Sequence, residues 1–477
     1  MSNQKAAING AKWTTSATVV TILFSFFQLA IIARVVNKSA FGLIAMSTLT
    51  ISFFHIFVNL GFTNSIISKQ ETNRKILSTI FYTSLSLGLF IFGVINLSVP
   101  FVANYFDEPK LNYIIRISSI NFPLIYLGQI YNIILQKDLK FKTLALIDIS
   151  SSLCGTSFTI FLAYNNFQEL SLIYGEVFYT SIKVTLFLIA GLKLFRPAWY
   201  FRLMDIKDHL LFGVYNLGEG ILGYAVNNVE AIVIAKVIGA GALGLYTIAY
   251  QLAVYPIVRL NPIIMQVTYP IMAKMKDTAG LKRAYLKIID FITYCNFPLL
   301  AGLFIMSAVV VPMVYGPKWL EAIPLVKVII FVSILSCITT PISSLAFTKH
   351  KPELIFYLNL ITLIIKAPII YLFAKYWGLM GVAFGNLVTT FTQAIIVGFI
   401  AKHLIGSHFK ELFMDLYKPV LFCLIMVGII AIYQHFIPST DLLNTIIQIA
   451  IGGLIYIGLT LKFKLSFTEI KELRKSL

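Results

Sequence analysis

Three observations predict an all-α, polytopic membrane protein with about fourteen transmembrane helices. Of the 477 residues, 58% are hydrophobic and only 12% are charged, and the mean hydropathy is +0.85. Apolar runs of about 20 residues, the length that crosses a ~30 Å hydrocarbon core, recur along the whole chain. The third observation is an internal repeat, because the stretch 31–43 recurs 202 residues later as 233–245. Together these features exclude a soluble globular protein.

Fourteen apolar segments predict the membrane-spanning helices. They are 13–34, 41–64, 77–99, 112–135, 143–164, 170–192, 210–236, 242–266, 288–311, 322–347, 353–374, 378–401, 419–436 and 442–461. The segments 112–135 and 242–266 carry internal polar residues and are the weakest of the set. No stretch between these segments is long enough to fold as a separate domain.

The repeat predicts two lobes of six helices. A stripe of small and polar residues in the first helix aligns with a second stripe in the seventh helix, and three- and four-residue spacings put each stripe on one face. The stripes are Thr14, Thr18, Thr21, Ser25 and Gln28, and Asn216, Gly220, Gly223, Asn227 and Glu230. An even number of spans separates the copies, so the repeat is parallel.

These considerations predict four regions along the chain. They are an N-terminal lobe at 1–192, a cytoplasmic linker at 193–209, a C-terminal lobe at 210–401, and two additional helices with a basic cytoplasmic tail at 402–477. The linker is expected to be a solvated connection at the level of the lipid headgroups. Attraction to an anionic headgroup is the alternative.

The positions of the basic residues predict the orientation. With both termini in the cytoplasm, the cytoplasmic segments carry 27 of the 38 Lys and Arg residues, and the opposite loops carry 7. Cytoplasmic loops are typically enriched in this way, so both termini are expected inside. The same placement accounts for the net charge of +18. We therefore expect no nucleic acid as a partner.

Enzyme motifs are missing from the sequence. It has no GxxxxGK[ST] phosphate-binding loop, no HExxH and no GxSxG. The four cysteines lie singly in predicted helices and the six histidines are scattered, so no metal site is expected. The prediction is a protein that is not an enzyme and needs no cofactor, with proton or sodium coupling left open.

The predicted seventh helix carries the strongest local signal. Asn216, Glu219, Asn227 and Glu230 share one face, and a charge near the bilayer centre is costly unless it meets water, a partner or a proton. We expect this face to line a cavity, because the first helix repeats the stripe. Pairing with a neighbouring helix is the alternative.

The predicted eighth helix places Gln251, Tyr255 and Arg259 on one face. A guanidinium at this depth can hold a phosphate through two hydrogen bonds. Alternatively, Arg259 reaches the cytoplasmic headgroups or pairs with Glu219.

Two further helices contain isolated polar groups. His55 in the second helix can exchange protons or bind substrate, although a lone histidine in a membrane helix more often forms a hydrogen bond to a neighbouring helix. In the sixth helix, Glu176 and Lys183 share a face, so an internal ion pair competes with substrate contact. Asp148 is expected to be structural.

Short motifs in a fixed order give the chain a resemblance to a known family. They are Gly10-Ala11-Lys12-Trp13, Ala33-Arg34 with Phe41-Gly42, Leu60-Gly61, Gly244-Leu245-Tyr246, Pro270, Pro298, Gly302, Tyr315-Gly316 with Trp319, and Gly378, Gly381, Val382 and Ala383. On these residues the chain resembles the polysaccharide-type flippases of the multidrug/oligosaccharidyl-lipid/polysaccharide exporter superfamily, in particular the O-antigen and colanic-acid branch. The resemblance covers about residues 8–400. Relatives often carry an acidic residue where this chain has Asn59, which puts ion coupling through the second helix in doubt.

The resemblance implies a MATE-like fold, in which the two six-helix lobes form a V, and a lipid-linked substrate. That substrate is an oligosaccharide on undecaprenyl pyrophosphate, moved from the inner to the outer leaflet of the bacterial cytoplasmic membrane. Membrane lipids, a polysaccharide polymerase and glycosyltransferases are the other expected partners.

The candidate site residues are assigned to three roles. Cations for the diphosphate are Arg259, Lys183 and Arg34. Polar and aromatic groups for the sugars are Gln28, Ser25, His55, Asn216, Asn227, Gln251 and Tyr255. The candidates for ion coupling are Glu219 and Glu230.

Two other functions compete with a flippase. A cation-coupled multidrug exporter of the same superfamily fits Glu219 and Glu230, which suit a cationic drug, but does not fit the basic residues. A membrane glycosyltransferase or polymerase usually needs carboxylates in an extramembrane loop, and the connections here are short and basic.

Overall fold

The computed structural model describes residues 3–58, 66, 70–273, 275, 277–438 and 441–463. Throughout these residues every regular element is a helix, and no strand occurs among them. The prediction of an all-α fold is therefore confirmed.

The first part of the chain contains nine α-helices among the described residues. They are α1 (Asn3–Val35), α2 (Lys38–His55), α3 (Arg74–Tyr105), α4 (Leu111–Ser119), α5 (Asn121–Lys137), α6 (Phe141–Tyr164), α7 (Gln168–Gly191), α8 (Lys207–Val237) and α9 (Ala240–Ala273). Short 3-10 turns at Ile56–Val58 and Leu203–Ile206 follow α2 and precede α8.

Six further α-helices follow in the described part of the chain. They are α10 (Thr278–Tyr315), α11 (Ile323–Thr339), α12 (Ile342–Thr348), α13 (Glu353–Ile405), α14 (Phe409–Phe436) and α15 (Leu442–Phe463). A 3-10 turn at Pro317–Ala322 links α10 to α11.

Thirteen of the fourteen predicted segments coincide with one of these helices, with two consecutive ones, or with one arm of α13. The segment 41–64 coincides with α2 and the 3-10 turn as far as residue 58, and its residues 59–64 lie outside the described residues. The segment 112–135 is divided into α4 and α5, and 322–347 into α11 and α12. The segments 353–374 and 378–401 are the two arms of α13, joined at Gly378 with φ 60° and ψ −145°. That conformation is essentially limited to glycine, which explains why the turn occurs there.

Ten helical stretches of the described residues are long and apolar enough to cross a membrane. Their outer surfaces carry large apolar side chains, for example Phe101, Phe436 and Leu443, which are 72–77% exposed. Such surfaces are stable in hydrocarbon, where the backbone polar groups are satisfied within each helix. The chain is a multi-pass membrane protein.

The chain divides into two compact units, Met1–Gly244 and Leu245–Leu477. The predicted lobe boundary at 193–209 comes from the sequence repeat, whereas these units follow the density of contacts, so the lobe boundaries stay a prediction.

In the first unit the two copies of the repeat contact each other reciprocally. A Cβ added to Gly42 would collide with the backbone of Ala240, and one added to Gly244 would collide with the backbone carbonyl of Lys38. Gly42 and Gly244 are 202 residues apart, and so are Lys38 and Ala240. The contact is therefore made twice by equivalent positions, as in a two-fold symmetric interface.

The α2–α8 packing continues away from this contact. The Tyr224 hydroxyl of α8 donates to the Leu49 carbonyl of α2 at 2.7 Å. Near the other end of α8, Lys236 Nζ lies 2.8 Å from Asp107 Oδ2 after α3. The helix α8 is thus fixed at two levels within the first unit.

The second unit is built around α10, which packs against α11, α14 and α15. Inside it, Asn296 Nδ2 of α10 donates to Asn261 Oδ1 of α9 at 3.1 Å, and both residues are buried. At the start of α14, Lys282 Nζ of α10 lies 2.6 Å from Glu411 Oε1. These contacts tie the C-terminal helices to the preceding ones.

Candidate functional site

A polar cavity of about 440 Å³ lies among α1, α6 and α7 of the first unit. Eight of its thirteen lining residues carry a hydroxyl, amide or carboxylate group, in helices that are otherwise apolar. The lining residues are Thr21, Ser25, Gln28, Ile44, Ser152, Gly155, Thr156, Thr159, Leu172, Ile173, Gly175, Glu176 and Tyr179. Polar groups inside membrane-spanning helices are costly, so such a concentration indicates a functional site.

Two glycines allow α6 and α7 to cross closely at this cavity. A Cβ added to Gly155 of α6 would lie 2.6 Å from the Tyr179 Cβ, and one added to Gly175 of α7 would collide with the Thr159 hydroxyl. Small residues permit this kind of close helix packing in membranes. The glycines therefore fix the distance between two walls of the cavity.

The α1 wall is formed by the predicted stripe. The Thr156 hydroxyl of α6 donates to Gln28 Oε1 at 3.0 Å, which fixes the amide across the cavity. The Ser25 hydroxyl donates to the Thr21 carbonyl at 2.8 Å, so its oxygen still accepts hydrogen bonds from a ligand. Two of the three predicted site residues of this helix, Ser25 and Gln28, line one cavity.

Glu176 supplies the cavity with a carboxylate. Its side chain is solvent-accessible, and among the described residues it makes neither a hydrogen bond nor an ion pair. An ionised carboxylate accepts hydrogen bonds through both oxygens. It can therefore bind ligand hydroxyl groups, a cation or a proton.

Lys183 lies one turn of α7 beyond the cavity lining. Its Nζ is 2.8 Å from Asp148 Oδ1 of α6 and donates to the Tyr179 hydroxyl at 3.2 Å. The expected internal ion pair with Glu176 is therefore wrong, and the partner is Asp148, a neighbour across the helix interface. Tyr179 connects this ion pair to the cavity because it lines the cavity as well.

Other predicted residues of the first unit lie away from this cavity lining. Arg34 is exposed in the last turn of α1, and the His55 ring lies 5.0 Å from the Phe122 ring. Asn227 Nδ2 donates to the Gly223 carbonyl of its own helix at 2.8 Å. Glu230 is only 5% exposed. The cavity therefore contains two of the predicted site residues, and their binding roles stay predictions.

The remaining predicted residues belong to α8 and α9. In the second unit, Gln251 Oε1 is buried and has no hydrogen-bond partner among the described residues, and Tyr255 is 44% exposed. The side chains of Asn216, Glu219 and Arg259 lie outside the described residues, and so does Asn59.

The sequence interpretation missed most of the α6 wall. Ser152, Thr156 and Thr159 lie on one face of α6 at spacings of four and three residues, beside Gly155. This is the same small-and-polar pattern that identified the α1 stripe. It was a usable signal, whereas Tyr179 gave none because aromatic residues are frequent throughout the chain.

Comparison with known proteins establishes the family. The family model for polysaccharide biosynthesis proteins matches residues 31–324. The lipopolysaccharide biosynthesis protein WzxC of Escherichia coli (strain K12) is 30% identical over 421 residues, covering 88% of this chain and 86% of that protein. The chain belongs to the polysaccharide biosynthesis protein family. The teichuronic acid biosynthesis protein TuaB of Bacillus subtilis (strain 168) is 29% identical over 477 residues, covering 99% and 98%.

Solved structures support the fold of this family member. The lipid II flippase MurJ in an inward closed conformation matches with a TM-score of 0.75 and 15% identity, covering 94% of this chain and 98% of that one. An inward-facing multidrug resistance MATE family transporter matches with a TM-score of 0.62 and 15% identity, covering 80% and 95%. These structures confirm the MATE-like fold, and the family model together with WzxC confirms the predicted family.

Proposed function

We propose that this protein moves undecaprenyl-pyrophosphate-linked oligosaccharide units from the inner to the outer leaflet of the bacterial cytoplasmic membrane. Movement occurs by alternating access and supplies surface polysaccharide biosynthesis. The observation that carries the proposal is the polar cavity among α1, α6 and α7 in a member of the polysaccharide biosynthesis family. The names of WzxC and TuaB, which refer to surface glycans, support the same substrate class.

The cavity chemistry suits a sugar. Hydroxyl and amide groups such as Ser25, Gln28 and Thr159 both donate and accept hydrogen bonds, as the hydroxyl groups of a glycan do. Glu176 accepts hydrogen bonds from two neighbouring sugar hydroxyls. Substrate that is held by many such weak contacts can also leave again, which transport requires.

The diphosphate needs cations, which the cavity lining lacks among the described residues. Lys183 is the nearest cation along α7, and its pairing with Asp148 keeps it charged. Arg259 and Arg34 are the other proposed phosphate ligands. Because helix α9 should carry Arg259 deeper into the membrane, Arg259→Ala is expected to reduce transport more than Arg34→Ala. Near-normal transport in both variants would remove Arg259 and Arg34 from the phosphate site.

For energy coupling, we propose that Glu219 or Glu230 takes up a proton or sodium ion. Glu230 is the repeat equivalent of Gln28, and it is buried, so the charge state of its carboxylate affects the packing of α8. Transport that is insensitive to the proton and sodium gradients would exclude this role.

The cellular setting follows from the same proposal. Both termini face the cytoplasm, and the substrate comes from glycosyltransferases that assemble it on the inner leaflet. A polysaccharide polymerase uses the flipped units on the other side. The protein performs no bond chemistry on the glycan.

The decisive experiment is deletion of the gene followed by measurement of the lipid-linked repeat unit on each leaflet. The expected result is accumulation on the cytoplasmic leaflet, where a membrane-impermeant glycosidase does not reach it, and loss of the surface glycan. Complementation with the intact gene should restore both. Normal surface glycan in the deletion strain, with no related gene to replace it, would contradict the proposal.

A multidrug exporter is the second candidate function. The unpartnered Glu176 carboxylate in a cavity that has no lining cation, among the described residues, favours a cationic organic substrate. Overexpression would then raise resistance to such drugs, and Glu176→Gln would abolish that resistance. Unchanged resistance together with glycan loss in the deletion strain selects the flippase.

A further inference from the structure

A second cavity, of about 460 Å³, lies at one end of the first unit. It is formed where α3 begins, where α5 ends and just after α7. Its lining residues are Thr72, Arg74, Leu77, Ile134, Lys137, Asp138, Leu194, Phe195 and Arg196. The two cavities share no lining residue. The basic loops at this end are those that the charge asymmetry predicts to face the cytoplasm.

The cavity has a cationic rim. Arg74, Lys137 and Arg196 contribute three positive charges against the one carboxylate of Asp138. Among the residues that the structure describes, none of these cations forms an ion pair. The described lining residues of the cavity therefore carry a net positive charge.

Hydrogen bonds to the backbone position two of these cations. Arg74 Nε donates to the Arg196 carbonyl at 2.9 Å, and Lys137 Nζ donates to the Glu71 carbonyl at 2.7 Å. The terminal guanidinium nitrogens of Arg74 and the remaining protons of Lys137 are still available to a ligand. Such fixed cations lose less conformational freedom when an anion binds.

The floor of the cavity is apolar. Leu77, Ile134 and Phe195 belong to the buried core cluster that joins α3, α5 and the chain after α7. A cationic rim above an apolar floor suits a ligand that is itself amphipathic. A free, fully hydrated anion gains nothing from the apolar floor.

The segment beside the cavity has the character of a membrane interface. Trp199 is 98% exposed and stacks on Tyr82 with ring centroids 6.4 Å apart, and Phe201 is 56% exposed. The segment is held on α3 by the Ala198 N–H, which donates to the Ser78 hydroxyl at 2.8 Å. Tryptophan and tyrosine concentrate at the level of lipid headgroups, so the cavity opens at that level.

We propose that this cavity binds the phosphate of an anionic membrane lipid. Its volume lies within the range of about 300–1,000 Å³ that is typical of ligand sites. Arginine guanidinium groups bind phosphate through paired hydrogen bonds, and lysine adds a point charge. The glycerol or prenyl part of the lipid covers the apolar floor.

The test uses the purified full-length protein in detergent, titrated with phosphatidylglycerol and followed by native mass spectrometry. The site variant is Lys137→Gln with Arg196→Gln. The matched control is Lys140→Gln with Lys193→Gln, which removes the same charge from two exposed lysines at the same end that do not line the cavity. Phosphatidylglycerol should bind the site variant about tenfold or more weakly and the control as the intact protein does.

Further lipids distinguish the sources of the phosphate. Undecaprenyl diphosphate is titrated in parallel, and the lipid whose binding the site variant weakens is the natural occupant. Phosphatidylcholine, which carries no net charge, should bind all three proteins equally. Unfolding temperatures measured without added lipid should be the same in both variants, which separates lost binding from lost folding.

Two results would overturn the proposal. Equal weakening of both lipids in the site variant and the control would show that only diffuse surface charge acts. Inorganic phosphate that displaces phosphatidylglycerol at the same concentration would show that the cavity recognises a soluble anion rather than a lipid.

Discussion

The two copies of the repeat form two helical hairpins, α1–α2 and α8–α9. Their reciprocal contact predicts how Gly42→Ala changes the protein. The new methyl group meets the backbone of Ala240, and a backbone carbonyl cannot rotate away as a flexible side chain can. The α1–α2 hairpin must therefore move away from the α8–α9 hairpin at this contact. Gly244→Ala should act in the same way, because it meets the Lys38 carbonyl at the equivalent position.

The size of the effect follows from the cost of overpacking. Inserting one carbon into a closely packed contact costs about 1–3 kcal/mol. If the hairpins alternate between contacting and separated states, this cost shifts the equilibrium by about 5- to 150-fold toward separation. Gly241→Ala is the matched control within the same hairpin, because a Cβ there meets nothing within 4 Å.

The assay is the rate at which a maleimide reagent labels a cysteine buried beside the contact. Ala240 is 5% exposed, and its backbone is what a Cβ at Gly42 would meet, so Ala240→Cys reports separation at this contact. The four native cysteines are first replaced by alanine. Labelling should accelerate by about 5- to 150-fold in Gly42→Ala and Gly244→Ala, and glycan export should fall.

Equal labelling rates in Gly42→Ala and Gly241→Ala would refute the reasoning, because the contact would then not limit access to Ala240. Faster labelling with normal export would be just as informative. It would show that the hairpins separate without any role in transport, and alternating access would have to depend on other helices.

Three further predictions concern the cavity wall, its ion pair and a loop histidine. Gly175→Ala should reduce glycan export by forcing α6 and α7 apart, whereas Gly93→Ala, where a Cβ meets nothing within 4 Å, should leave export normal. Asp148→Asn and Lys183→Met should each lower stability by about 1 kcal/mol in thermal unfolding, and the double variant by less than the sum, because the pair is partly exposed. Burial lowers the pKa of His408 below its ordinary value of 6.5, so its contribution to stability is complete above pH 6.5 and is lost as the pH falls below that. His408→Gln should flatten this dependence of unfolding temperature on pH, and an unchanged slope would contradict it.

The helices could be predicted from the sequence because hydropathy and length decide which segments cross a membrane. The predicted and observed helices differ at positions where local backbone geometry decides whether a helix is interrupted. The boundary between α4 and α5 lies at Ile120, where the backbone stays close to helical. The hydropathy of this stretch is the same as that of an uninterrupted helix, so the boundary could not be predicted. By contrast, Gly378 was a visible signal, because glycine between two apolar runs is the residue that tolerates a sharp turn.

The site was only partly predictable for a different reason. Helical periodicity assigns residues to a face, and it correctly put Ser25 and Gln28 together. It does not say which helix packs against that face. Lys183 illustrates this limit: a residue on its own face, Glu176, was expected as partner, but the neighbouring helix brings Asp148 closer. Contacts between helices depend on packing details such as Gly155, which one sequence does not rank.

The two halves of the repeat differ in which helix carries a carboxylate side chain. In the first copy the stripe is neutral, and its last polar member, Gln28, is fixed by a hydrogen bond from Thr156. The carboxylate of that cavity comes from Glu176 on α7 instead. In the second copy the equivalent position is itself acidic, as Glu230. Because a neutral amide does not take up a proton while a carboxylate can, proton coupling at Gln28 itself is excluded. If a proton drives transport, the first half can take it up only through another residue such as Glu176 on α7, whereas the second half has Glu230 at the equivalent position.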